Sequence, residues 1–250
     1  MRIGVRALTI VAIVASTGVS CGGSGLFRQY EYEEEMYLSL DGSATLYVNS
    51  SIAALDALHG ASFDAASAAH FDRDAYRAYF SSPNTHVTRV STSRRSGRRF
   101  VHVRMDVDDV RRLAGSPPFA WSTYTFDREG EQFIYRQRLG AAAGKDVPQA
   151  KWTGRELVAF RLHLPSKIEY HNTPTHEVGR GNILVWEQPL ADRLRGTPLT
   201  LEARMQTQSI LYRTLWLFGI TFVVVAVVFA AVIWWVLQRG KTSTYVVGQS

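Results

Sequence analysis

The run from Thr214 to Leu237 carries no charged residue over its whole length, and nothing else in the chain restricts the fold so strongly. At about 1.5 Å of helical rise per residue it covers roughly 36 Å, more than the ~30 Å hydrocarbon core of a bilayer. Its flanks agree with a span. Arg213 stops it on one side and Gln238-Arg239-Gly240-Lys241 on the other, while Trp216 and Trp234-Trp235 stand near the two ends, where indole rings prefer the headgroup layer. A buried core helix of this length would be expected to show a polar face, and this run has none.

The opposite end of the chain carries a different membrane signal. Arg2 and Arg6 form a positive region, Ala7 to Ala15 is a short apolar stretch, and the small residues Ser16 to Ser20 lead to Cys21. This pattern reads as a secretory signal peptide over residues 1–20, too short for a stable span. Cys21 is the single cysteine, so neither an internal disulfide nor a cysteine-based metal site can form. Followed by Gly22-Gly23-Ser24-Gly25, it resembles a bacterial lipobox. That pattern places an aliphatic residue three before the cysteine and a small one just before it; Ser20 fits and Gly18 departs. Lipidation of Cys21 is the expectation, with ordinary cleavage nearby and a free thiol as the alternative. The two ends together predict an extracytoplasmic domain over 21–210, a transmembrane helix over 211–238 and a short cytoplasmic tail over 239–250. The chain is thus expected in a bacterial cell membrane as a single-pass protein.

That topology changes what the net charge of +6 means. Five of the 28 basic residues, Arg2, Arg6, Arg213, Arg239 and Lys241, lie in the signal or at the membrane flanks, leaving 23 against all 22 acidic residues in the domain. A domain so nearly neutral offers no general field for nucleic acid.

About 190 residues are ample for one hydrophobic core. Tyr30, Tyr32, Met36, Leu38 and Leu40 alternate with Glu31, Glu33, Glu35, Tyr37 and Ser39, the period-two pattern of a half-buried strand. Asp41-Gly42-Ser43 turns it into a hairpin whose second strand carries Leu46 and Val48. The acidic run therefore reads as one solvated strand face, with Glu34 on the apolar phase as the exception. Asn49-Ser50-Ser51 offers caps for a helix through His59, and Asp72 or Asp74 for another through Phe80. Hairpins follow over Thr85 to Asp106, turning at Ser96-Gly97, and over Ala120 to Leu139, turning at Glu129-Gly130. A helical turn over Asp108 to Leu113 separates them. Ala141 to Thr153 reads as a loop. Strands are expected over Val158 to Leu164, Asn182 to Glu187 and Leu199 to Met205, with a helical turn over Pro189 to Leu194. Strands dominate and helices cluster early, which makes the domain α+β with a mainly antiparallel sheet and a few short helices.

Chemistry-bearing motifs are sparse. No nucleophile elbow, phosphate-binding loop, dinucleotide fingerprint or His-Glu-x-x-His is present. His171-Asn172-Thr173-Pro174-Thr175-His176-Glu177, with His163, is the nearest approach to a metal site, but its spacing puts the histidines on no common face, and a solvated loop is the better reading. No catalytic residue, metal or cofactor is expected, and the chain does not read as an enzyme. One cluster stands out. Arg94, Arg95, Arg98 and Arg99 flank the Ser96-Gly97 turn, where four guanidinium groups can meet the phosphates of an anionic leaflet, each worth about 1 kcal/mol there. A turn kept soluble by charge is the plainer reading.

The opening Glu33-Glu34-Glu35-Met36-Tyr37-Leu38-Ser39-Leu40-Asp41-Gly42-Ser43-Ala44, the later Gly181-Asn182-Ile183-Leu184-Val185-Trp186-Glu187 and the spanning helix after a final strand resemble LppM-type bacterial lipoproteins. The resemblance implies an exported α+β domain with an incomplete barrel-like sheet, acylation at Cys21, a C-terminal anchor and glycolipid binding. The expected role is a membrane-anchored envelope domain that binds a lipid or glycolipid. Its partners would be membrane lipids and no nucleic acid. The competing expectation is a structural or assembly partner of another envelope protein, with an exposed apolar patch and no ligand pocket. An envelope hydrolase, which needs convergent polar groups in a cleft, ranks third.

Overall fold

The computed structural model describes residues 28–66 and 70–242. The signal peptide over 1–20, Cys21 and the last eight residues lie outside them. Alternation and turn chemistry build β1 (Tyr30–Leu38) and β2 (Ala44–Ser51) as expected. Helix α1 (Ile52–His59) starts where the Ser51 hydroxyl accepts the Ala54 amide at 3.1 Å and ends at Gly60, whose φ of 70° supplies the left-handed cap. Asp72 caps α2 (Arg73–Phe80) in the same way. Then come β3 (Thr85–Arg95), β4 (Arg98–Val107), two 3₁₀ turns over Val110–Gly115 and Pro117–Phe119, β5 (Ser122–Glu129) and β6 (Gln132–Leu139). The chain closes with β7 (Leu157–His163), β8 (Ser166–His171), β9 (Ile183–Pro189), α3 (Leu190–Leu194), β10 (Leu199–Ser209) and α4 (Ile210–Thr242).

Two sheets form among the described residues, one ordered β3-β4-β2-β1-β7-β9 and the other β5-β6-β10-β8, and no barrel closes. All pairings are antiparallel except β1 with β7. That parallel pair joins segments far apart in sequence, so no local pattern announces it. Tyr32, Met36, Leu46, Val48, Val103, Met105, Phe160 and Trp186 from the first sheet share one core with Tyr124, Phe126, Tyr135, Leu201 and Met205 from the second.

Register fixes the two ends of the domain. The α4 origin is tied to the β7–β8 turn by the Ile210 amide, which donates to the Pro165 carbonyl at 3.1 Å, and β1 and β7 run in parallel toward that turn. The Ser96-Gly97 turn, the first residues of β1, α1 and α3 lie at the other end. Leu157 and His163, the first and last residues of β7, are six steps apart, on the order of 20 Å at ~3.3 Å per residue.

Three points differ from the sequence reading. β8 is an edge strand in a stretch to which no element was assigned; its pairing with β10 is broken by two register shifts, which hides its alternation. Glu31 is fully buried rather than solvated, because a bulge between Tyr30 and Tyr32 displaces it from the outward phase. Helix α4 runs beyond the 211–238 span at both ends, with no part of its apolar window buried against the domain.

Candidate functional site

The four arginines at the β3–β4 turn do not form one surface. Arg99 is 4% exposed, and its guanidinium donates to the carbonyls of Asp64 at 2.7 Å and Ala66 at 3.1 Å, fastening the segment after α1. Arg98 pairs with Glu31 at 2.9 Å and donates to the Ala150 carbonyl at 2.9 Å. Arg95 donates to the Tyr30 carbonyl and lies 4.4 Å from the Phe100 ring centroid. Arg94 and Arg95 are exposed, whereas Arg98 is half-buried and Arg99 buried. Arg98 is thus engaged by Glu31 and the Ala150 carbonyl and Arg99 by the Asp64 and Ala66 carbonyls, and the turn lies about a strand's length from the α4 origin.

The histidine segment is also taken apart by the fold. His163, on β7, pairs with Glu35 at 2.6 Å and stacks on Tyr37 with ring centroids 3.8 Å apart. His171 faces the Thr173 hydroxyl at 2.9 Å. Asn172 has a structural role instead, its carboxamide oxygen accepting from the Trp186 indole at 2.9 Å and the Glu202 amide at 2.8 Å. Among the described residues no three His, Cys, Asp or Glu side chains are grouped to hold a metal.

Glu34, the exception to the strand alternation, proves to be the polar link between the sheets. Its carboxyl group accepts from the Tyr32 hydroxyl at 3.0 Å and from the Gln137 amide of β6 at 3.0 Å. Gln137 in turn meets the hydroxyls of Tyr124 and Tyr135. Burial pushes the Glu34 pKa up to about 7, outweighing the hydrogen bonds from Gln137 and Tyr32 that favour its charged form. The three phenols are held well above their usual range by the same burial.

At the α4 end the polar groups are open. Glu131, Gln132, Glu169, Gln206, Thr207 and Gln208 line a shallow cavity of about 210 Å³. Glu169 sits at its centre, accepting from Gln206 at 2.8 Å and from Gln132. Those amides, Gln206 foremost, hold its carboxyl below the usual range, so it is charged at neutral pH. Four residues past Gln208 begins an apolar groove on α4 itself, lined by Tyr212, Trp216, Gly219 and Val223 among others. No sequence signal marked the cavity: its residues come from β6, β8 and β10 and meet only through the antiparallel registers of the second sheet.

No protein-family model matches the chain, and no curated protein matches it. Among solved structures, the NMR structure of the folded domain of the Mycobacterium tuberculosis LppM protein is similar, with a TM-score of 0.39 and 14% identity, covering 72% of this chain and 92% of that one. A likeness of that degree assigns no role to any residue.

Proposed function

We propose that the chain is a non-catalytic, membrane-anchored domain, held on the extracytoplasmic side by α4, that binds the headgroup of a lipid or glycolipid where the domain meets the bilayer. The observation carrying this reading is the succession of a polar cavity and an apolar groove along one stretch, Gln206 to Val223, at the point where α4 leaves the domain. Two carboxylates, three carboxamides and a threonine hydroxyl suit a headgroup rich in hydroxyls or bearing an amine, because they accept and donate hydrogen bonds; two negative charges disfavour a phosphate lacking a cation. The groove offers an acyl chain the same surface that the bilayer does. A large span of α4 supports the anchoring half of the proposal: of the exposed large hydrophobic side chains among the described residues, all but Tyr37, Tyr170 and Val178 belong to α4.

Native mass spectrometry of the full chain, extracted in mild detergent, tests the binding half. A retained lipid mass is expected, and its occupancy should fall several-fold in Glu169→Ala with the melting temperature unchanged, since Glu169 is exposed. A co-purifying protein with no retained lipid would transfer the reading to an assembly role in which α4 docks a partner helix.

A further inference from the structure

The end of the domain farthest from α4 contains a buried cation with no counter-charge. Arg193, on α3, has no exposed surface, and only one of its guanidinium nitrogens, Nη2, has a partner, the Gly140 carbonyl at 2.7 Å. Its Nε and Nη1 have no partner, and no acidic group among the described residues forms an ion pair with it. An arginine stays charged in proteins, so burial leaves this charge in place, and an isolated buried charge is costly enough that proteins pair it.

What surrounds Arg193 is a set of donors. Its guanidinium carbon lies 5.8 Å from the Trp121 ring centroid, and the Trp121 indole Nε1 is buried without a partner. The His59 ring lies 4.6 Å from Trp121, with the Pro118 carbonyl as the backbone partner of its imidazole. Burial pushes the His59 pKa down to about 4, outweighing that bond, so at neutral pH it adds no charge. The Ser122 hydroxyl, next in the chain to Trp121, is buried as well. Two nearby carbonyls are already engaged: that of Gly140 accepts from Arg193, and that of Trp121 accepts the Gly140 amide at 2.6 Å. Gly140 is also the residue that permits this approach, since a Cβ there would stand 2.8 Å from the Trp121 carbonyl oxygen. Water would satisfy some of these donors but would leave the charge. An anion satisfies both.

We propose that Arg193 and Trp121 form an internal binding site for one small inorganic anion beneath the β6–β7 connection. Guanidinium Nε–H and Nη1–H supply the charge-assisted hydrogen bonds and the indole N–H a third. The ion would act as a structural counter-charge that binds α3 to the β5 corner, and it would stabilise the folded state by mass action in proportion to its concentration. This site is independent of the lipid cavity, from which the length of the second sheet separates it.

The test uses the full chain in detergent micelles. Chloride, inorganic phosphate or gluconate, the last too large to enter, is titrated at constant ionic strength while the Trp121 indole 15N–1H resonance and the melting temperature are followed. A saturable shift of that resonance, with a rise in melting temperature for chloride or phosphate and none for gluconate, is expected. Arg193→Met, which keeps the buried stem, should abolish both responses; in gluconate it should melt no lower than the parent, because it removes an unpaired charge. Trp121→Phe provides a second variant, in which the melting-temperature response to chloride should weaken and not vanish. Equal responses to all three anions, or an unaltered response in Arg193→Met, would overturn the proposal. A response restricted to nanodiscs containing phosphatidylglycerol would overturn it too, since it would locate the anion on a lipid.

Discussion

The two ends of the domain use charge in opposite ways. Near α4, Glu131, Glu169 and their glutamine neighbours line an open cavity. At the far end Arg98, Arg99 and Arg193 are withdrawn from water and hold separate segments together through Glu31, backbone carbonyls and the Trp121 corner. The positive turn therefore works as a set of internal struts, and the modest polar residues of β6, β8 and β10 provide the accessible chemistry. Charge density along a sequence identifies neither use; the path of the backbone does.

The sharpest way to break this comparison is to remove its reference point, the anchor. Val225→Arg with Val228→Arg places two charges near the middle of α4, each costing about 2.5–3.5 kcal/mol on insertion scales. The protein should move from the membrane fraction to the alkaline extract; full retention in the membrane would mean that α4 is not the anchor. Next in size is the strut. Arg98→Ala leaves buried Glu31 without its ion-pair partner and should lower the unfolding free energy by about 3–5 kcal/mol in urea titration. Arg94→Ala, on the exposed side of the same turn, should change it little. Equal small effects, coupled to weaker pelleting with anionic vesicles, would restore the turn as a lipid contact.

The third prediction concerns the polar link between the sheets. Folding raises the Glu34 pKa from 4.5 to about 7, so the folded state binds the proton more tightly than the unfolded chain does. Its contribution to stability is complete below about pH 4.5, declines as pH rises toward 7, and is lost above that, a difference of about 3 kcal/mol. Glu34→Gln should flatten this part of the stability profile and make the variant the more stable form at pH 8. A parent profile that rises between pH 5 and 7 and is unchanged by Glu34→Gln would show that the carboxyl is charged throughout.

Much of the fold was legible because its signals are local. Ser51 and Asp72 cap helices, Asp41-Gly42 and Ser96-Gly97 turn hairpins, and the apolar phase of β1 and β2 faces the core; each depends on residues within a few positions of one another. Strand β8 and the burial of Glu31 escaped because bulges interrupt the period that would have revealed them. Glu34 was singled out by its phase, but its partner Gln137 lies 103 residues away, and nothing local connects them. Arg193 gave no signal at all, since a buried arginine on a five-residue helix looks in sequence like any surface arginine.

By itself the sequence determined the apolar helix, the hairpins, the caps and the class of the domain, because each follows from composition or periodicity over a short window. The tertiary structure alone decided which end of the domain meets the anchor, which arginines are spent inside, and where accessible polar groups converge. Those outcomes depend on the parallel pairing of β1 with β7 and on the registers of β6, β8 and β10, contacts whose energies accrue between residues that the chain separates by 32 to 127 positions.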